Sequence, residues 1–214
     1  GRLVEQPGAP HRMLDTQYRM HPVIAEFPAE HVYEGRLQTG VTAAQRVAPG
    51  GFSWPDPSQP VAFVDIPSAM EDAHDGRSHR NVQQAHAVVE VVEGLLRAGD
   101  VTSDQIAVIT PYQGQKAEVR AALARAGAAR DLPALARVSV DTVDGFQGME
   151  CEVAVVSTVR SNPRGAVGFL RDERRFNVLM TRARRGLIVI GQASTLKNNY
   201  LWRKWVKWAG KRNL

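Results

Sequence analysis

Three short polar stretches in this chain follow β-branched aliphatic runs, and their residue types suit an anion. Thr110-Pro111-Tyr112-Gln113 stands between such a run and a helical pattern, where backbone N–H groups and a hydroxyl fit a phosphate. Thr142, Asp144 and Gly145 occupy an equivalent turn, and Ser157, Thr158, Arg160, Ser161 and Asn162 continue the series. A fourth group is the stretch Asp172 to Arg185, which reads as a helix opened by acids and closed by arginines. On that helix Arg175 and Arg182, seven residues apart, share a face beside the apolar stripe of Phe176, Leu179, Met180 and Ala183. An arginine so placed projects into a cleft. Arg184 and Arg185 fit favourable positions at a helix C-terminus, and a structural ion pair accounts for Arg174 or Arg175.

The elements that position these residues are legible in the apolar pattern. Five runs, Val61–Ile66, Ile106–Thr110, Val138–Asp141, Val153–Val159 and Leu187–Ile190, are nearly continuous in aliphatic character and predict strands buried on both faces. Helical periodicity separates them: Asn81 to Arg97 repeats Ala85, Val88, Val89, Val92, Leu95 and Leu96 at 3- and 4-residue steps, and Gln113 to Ala126 continues with Val119 and Leu123. Alternation of this kind predicts a doubly wound α/β sheet in one domain spanning 1–214, with ligands at the carboxyl ends of the strands. Thr39–Pro60 reads as a surface excursion. Trp202, Trp205 and Trp208 read as the buried face of a closing basic helix, His21-Pro22 as a helix start, and Cys151 as inert packing.

Composition excludes several classes. Of 214 residues 43% are hydrophobic, and no run approaches the ~18 apolar residues of a membrane span. A single cysteine excludes an internal disulfide framework and suits a reducing compartment, hence cytoplasm or nucleus. The six histidines are scattered without metal-ligand spacing, so no metal site is expected. The net charge of +5 divides unevenly: residues 1–159 carry 13 Lys/Arg against 20 Asp/Glu, and residues 160–214 carry 14 against 2. Arginine supplies 22 of the 27 basic residues, and its planar fork suits phosphates. A phosphate-binding G-x-x-x-x-G-K-[ST] loop is absent; the only Gly-Lys pair, Gly210-Lys211, lacks both the earlier glycine and the following hydroxyl. On its own this chain is expected to be inactive as an ATPase.

Four segments, in order, resemble one family: Leu14-Asp15-Thr16-Gln17-Tyr18-Arg19-Met20-His21-Pro22, Ile109 to Gln115, Val140 to Glu150, and Arg174 to Arg184. Together they resemble the second RecA-like motor domain of superfamily 1 helicases, in the subgroup of the nonsense-mediated-decay RNA helicase. The resemblance implies a RecA-like fold, ATP with Mg as cofactor, and a P-loop on a preceding motor domain of the same polypeptide. It implies that Arg19 and Arg182 reach the γ-phosphate across the cleft and that Tyr18 stacks on the adenine. Gln17 and Glu150 match positions that order the nucleotide, Glu150 through ribose hydroxyls. Thr110, Pro111, Tyr112 and Gln113, with Thr142, Asp144 and Gly145, match turns that hold the sugar–phosphate backbone of a single strand. Such contacts are salt-sensitive and sequence-tolerant. RNA is expected over DNA, and movement 5′ to 3′. The competing expectation is a non-catalytic nucleic-acid-binding or scaffold protein built on a degenerate helicase.

Overall fold

Runs that are apolar at every position must be covered on both faces, and the computed structural model shows how this chain does so. It describes residues 15–73 and 78–214; Leu14, His11 and His74 lie outside the described residues. The chain runs β1 (Thr16–Gln17), α1 (Pro22–His31), β2 (Gln38–Thr39), β3 (Val61–Asp65), β4 (Glu71–Asp72), β5 (His79–Arg80), α2 (Val82–Ala98) and β6 (Ile106–Thr110). It continues with α3 (Gln113–Ala129), β7 (Ser139–Thr142), β8 (Cys151–Ser157), α4 (Glu173–Met180), β9 (Ala183–Gly191), α5 (Ala193–Leu196) and α6 (Tyr200–Lys211). The five expected strands form one all-parallel sheet of order β3-β9-β8-β6-β7.

Alternation along each strand divides the core into two layers. Ala107, Ile109, Ala154, Val156, Leu187 and Val189 face one way, against α1, α4 and α6. Ile106, Val108, Val153, Val155, Ile188 and Ile190 face the other, against α2 and α3. Asn81 caps α2 by accepting from the Gln84 amide, and Gly99 closes it in the left-handed conformation. His21 accepts from the Val23 amide at the start of α1, with Pro22 in its first turn.

The helix expected over Asp172–Arg185 is shorter and Arg182 is not on it. Asp172 caps α4 by accepting from the amides of Arg174 and Arg175. At the other end the Thr181 hydroxyl donates to the Asn177 carbonyl at 2.6 Å, and the chain turns. Ala183 then begins β9 opposite Cys151, so Arg184 and Arg185 are strand residues rather than helix-terminal ones. The pull of β-pairing along nine residues overrides the helical periodicity that Ala183 appeared to continue.

The excursion 39–60 packs closely on the domain. Gly51, at φ +82°, lies against Gly94 of α2, and a Cβ on it would stand 2.1 Å from the Gly94 carbonyl oxygen. The tryptophan stripe is core: Trp202 and Trp205 are fully buried, and Trp208 is partly buried against Phe27. The Trp202 indole donates to the Leu170 carbonyl at 2.9 Å and meets Phe176 edge-on at 5.0 Å. Truncating Trp202 to alanine removes that packing and leaves a buried carbonyl unpaired. Trp202→Ala is therefore expected to cost about 3–5 kcal/mol in denaturant unfolding, against a smaller loss for Trp202→Phe. Equal losses would show that the lost indole N–H carries the cost and that the ring volume phenylalanine retains adds nothing.

Candidate functional site

The residues nominated by sequence separate to opposite edges of the sheet. At the amino edge, the turn Gln17–Met20 is held by its own first side chain. The Gln17 amide group donates to the Met20 carbonyl (3.0 Å) and the Thr39 hydroxyl (3.2 Å). Its oxygen accepts from the amides of Arg19 (2.9 Å) and Met20 (2.7 Å). Gln17 is thus fully engaged in shaping the turn. Arg46, in the short 3-10 turn Ala43–Arg46, donates to the carbonyls of Arg19 and Tyr18, each at 2.8 Å. The Tyr18 ring is 67% exposed and rests on Gly40, where any Cβ would fall 2.3 Å from the ring. An aromatic face held out in this way is available for stacking.

Arg19 and Arg182 converge beside Tyr18. Arg19 donates from Nε to Glu150 Oε2 at 2.7 Å and from Nη1 to the Thr181 carbonyl at 3.1 Å. That guanidinium is the main reason the Glu150 carboxyl lies below its ordinary range. Arg184 flanks the pair and reaches Glu152 at 3.2 Å. Arg182 is bound differently: Nε to the Val178 carbonyl (3.2 Å), Nη1 to the Met149 carbonyl (3.2 Å) and Nη2 to the Thr181 hydroxyl (2.9 Å). All three partners are neutral, and among the described residues Arg182 has no ion pair. Burial lowers its pKa, and the neighbouring Arg19 charge adds to that. Backbone pairing makes the convergence possible, since the Cys151 amide donates to the Arg182 carbonyl at 3.1 Å and sets Glu150 beside Arg182.

The carboxyl edge carries the strand-end residues. Thr110 and Thr142 are register partners at the ends of β6 and β7, and the Val143 amide donates to the Thr110 carbonyl. The Thr110 hydroxyl is buried without a partner among the described residues. Pro111 is half-buried and Gln113 exposed at the start of α3. The Tyr112 ring is buried against His79 and Phe169, and its hydroxyl accepts from the Phe169 amide at 3.4 Å. Burial raises the Tyr112 pKa. The Thr142 hydroxyl accepts from the Gly145 amide, and Asp144 holds Arg175 through two bonds of 3.1 and 2.8 Å. Arg175 therefore belongs to the carboxyl edge, in an ion pair, and Arg182 to the amino edge.

Ser157 and Thr158 lie inside the fold rather than on the exposed edge. Ser157 joins Gln84 and Gln115 in a buried network that also holds Asn81, and Thr158 donates to the Ile190 carbonyl. Arg160 is buried and ties the Ala166 carbonyl at 2.7 Å. Residues 143–150 run from the carboxyl end of β7 to the amino end of β8, so one short segment carries Asp144 and Gly145 at one edge and Glu150 at the other. Sequence reasoning missed Arg46 and Gly40, which shape the Tyr18 turn from within a stretch of Gly, Pro, Ala and Ser that has no periodicity. The general rule for open sheets led ligands to be expected at the carboxyl ends of the strands, whereas Tyr18, Arg19, Glu150 and Arg182 meet at the amino edge.

Those residues fit the outer side of a nucleotide: an exposed aromatic for a base, a carboxylate for hydroxyls, and two guanidinium groups for phosphates. Among the described residues no cluster of three or more His, Cys, Asp or Glu side chains could hold a metal ion, and no helix is long and apolar enough to cross a membrane.

A five-stranded parallel sheet with helices on both faces and arginines at its amino edge defines an α/β domain of RecA-like type. The chain belongs to the AAA domain family, whose model matches residues 1–194. It is 42% identical over 190 residues to "Regulator of nonsense transcripts 1 homolog" of Arabidopsis thaliana, covering 88% of this chain and 15% of that protein. It is 41% identical over 202 residues to "ATP-dependent helicase NAM7" of Saccharomyces cerevisiae, covering 94% of this chain and 20% of that protein. The corresponding protein of Drosophila melanogaster is 39% identical over 201 residues, 94% of this chain and 17% of its own length. The chain thus spans a fifth or less of these three curated relatives.

Cys151 sits beside this cluster without being exposed to it. Burial pushes its thiol pKa up to about 12. A thiol reagent at pH 8 should therefore leave the folded protein unmodified and react at once after unfolding. Because the thiol ionises earlier in the unfolded chain, at roughly pH 8.5, this contribution to stability is present below that pH and is lost as pH rises towards 12. Rapid labelling of the native protein would contradict the buried placement.

Proposed function

We propose that this chain is the second motor domain of an ATP-dependent nucleic-acid helicase or translocase. The observation that carries the reading is Arg182: a half-buried guanidinium with only neutral partners, beside an exposed aromatic and a second arginine. Holding an unpaired cation partly out of water is costly unless an anion arrives. The printed names of the relatives, which include an ATP-dependent helicase and regulators of nonsense transcripts, support the same reading.

ATP with Mg, held by the P-loop of a preceding domain of the same polypeptide, supplies a phosphoryl group whose transfer to water drives the cycle. This chain contributes positioning and charge. Tyr18 stacks on the base, Glu150 orients ribose hydroxyls, and the Gln17 turn fixes both. Arg19 and Arg182 neutralise the charge that develops on the transferred group, which makes turnover depend on closure of the two domains. At the carboxyl edge Thr110, Pro111, Tyr112 and Gln113, with Thr142, Asp144 and Gly145, hold the backbone of a single strand. RNA is the favoured strand and 5′ to 3′ the direction of travel. Without its partner domain the chain is inactive.

Removing an arginine of this kind typically costs ~10³–10⁵ in rate. In the full-length protein, Arg182→Ala is expected to abolish ATP turnover while affinity for single-stranded RNA stays within about twofold. An equal fall in both would contradict the assignment, unchanged turnover would remove Arg182 from the reaction, and no turnover by the parent would favour the non-catalytic scaffold. Strand displacement is expected on duplexes with a 5′ tail; opening of the 3′-tailed duplex alone would reverse the polarity. Stimulation of ATP hydrolysis should be greater with RNA than with single-stranded DNA, and the opposite order would assign the enzyme to DNA.

A further inference from the structure

A cavity of about 350 Å³ opens at the carboxyl ends of β3, β8 and β9, beside the strand-end stretch that contains Ser161 and Asn162. Its volume lies at the small end of the ~300–1,000 Å³ typical of ligand sites. Ser161, Asn162, Arg164, Gln192, Ser194 and Asn198 contribute to its lining, and among the described residues no acidic one does. Two features of the lining point to an anion. The Ser161 hydroxyl is buried and has no hydrogen-bond partner among the described residues, although the Ser161 carbonyl is satisfied by the Met70 amide. Arg164 is exposed and makes neither an ion pair nor a hydrogen bond among the described residues.

The loop that carries both is rigidly placed. Asn162 grips Ala166 from both sides, its Oδ1 accepting from the amide and its Nδ2 donating to the carbonyl, each at 2.9 Å. Its own amide donates to the Thr195 hydroxyl at 3.1 Å. Gly165, at φ +64°, is pressed against Asn198, so the loop cannot swing away without losing that contact. Lys197, next in sequence to the lining residue Asn198, is exposed and without an ion pair among the described residues. The cavity shares its sheet edge with Thr110 and Thr142: β8 lies next to β6, and β9 one strand further. Neighbouring strands are about 4.8 Å apart, so the cavity stands about 10 Å along the edge from the end of β6.

We propose that this cavity is a further phosphate subsite of the strand-binding edge, in which Arg164 and Ser161 hold one phosphodiester of the bound nucleic acid. The inference rests on the reading of the carboxyl edge as a strand-binding surface. It adds residues that follow β3, β8 and β9 to a grip otherwise formed at β6 and β7. It also gives a use to part of the positive charge that follows residue 160.

The test is fluorescence anisotropy on the full-length protein, with single-stranded RNA lengthened one nucleotide at a time and salt titrated at each length. Arg164→Ala is expected to weaken the longest oligonucleotides about tenfold, through loss of one charge-assisted contact. The slope of log K against log salt should fall by about 0.7, and the last gain in affinity with length should vanish. Arg164→Lys should keep the slope. Ser161→Ala should lose the same length step with an unchanged melting temperature, because the hydroxyl it removes has no partner among the described residues. Identical slopes and length dependence in parent and Arg164→Ala would overturn the subsite while leaving the proposed function intact. No strand binding by the parent would overturn both. If inorganic phosphate alone raised the melting temperature of the parent but not of Arg164→Ala, with strand binding unaltered, the cavity would hold a free anion and the strand assignment would fall.

Discussion

The parallel pairing of β8 with β9, with Cys151 opposite Ala183, is the constraint on which the rest of the amino edge depends. Because β9 begins at Ala183, α4 must end at Met180, and only the turn Thr181–Arg182 joins them. Because Cys151 pairs there, Glu150 and Arg182 stand side by side at the ends of adjacent strands. The N-terminal segment then docks on the same end, since the His21 amide donates to the Arg184 carbonyl at 2.8 Å. That bond brings Arg19 within reach of Glu150. A cluster drawn from three distant parts of the chain follows from the register of one strand pair.

Electrostatics decides what the cluster is for. Arg19 is compensated by Glu150, and Arg184 by Glu152, in pairs exposed enough to add little to stability. Arg182 is not compensated, and its three neutral contacts orient it without cancelling its charge. At the other edge the balance differs: Asp144 neutralises Arg175, and Lys116 is paired with Asp141 at 2.6 Å. Among the described residues Arg164 has no ion pair at that edge. Residues 143–150 connect the two edges, with Val143 and Phe146 buried between them.

Most of the architecture was legible in the sequence because it rests on burial. Aliphatic runs at Ile106–Thr110 and Leu187–Ile190 admit no exposed face, and the parallel sheet follows. The boundary of α4 was not legible, since Ala183 fits both an apolar helical stripe and the start of a buried strand. Only long-range pairing with Cys151 decides between them, and no local pattern encodes that. The site residues were named by motif, but their supports were not. Arg46 and Gly40 act through the Tyr18 and Arg19 backbone from a stretch without periodicity, and the buried unpaired hydroxyl of Ser161 depends on how its loop is folded. The charge step at residue 160 was visible at once. In the structure it is no boundary, because it divides between the arginines of the amino edge, the lysines of α6 and the loop around Arg164.

The central claim is that nucleotide and strand engage opposite edges of one sheet. Hydrogen exchange on the full-length protein, read separately with a non-hydrolysable ATP analogue and with single-stranded RNA, tests it directly. The account predicts that the analogue slows exchange at residues 17–20 and 148–152, and that the strand slows it at 111–114 and 142–145. Protection of the carboxyl edge by the nucleotide, with the Tyr18 turn left unchanged, would contradict it.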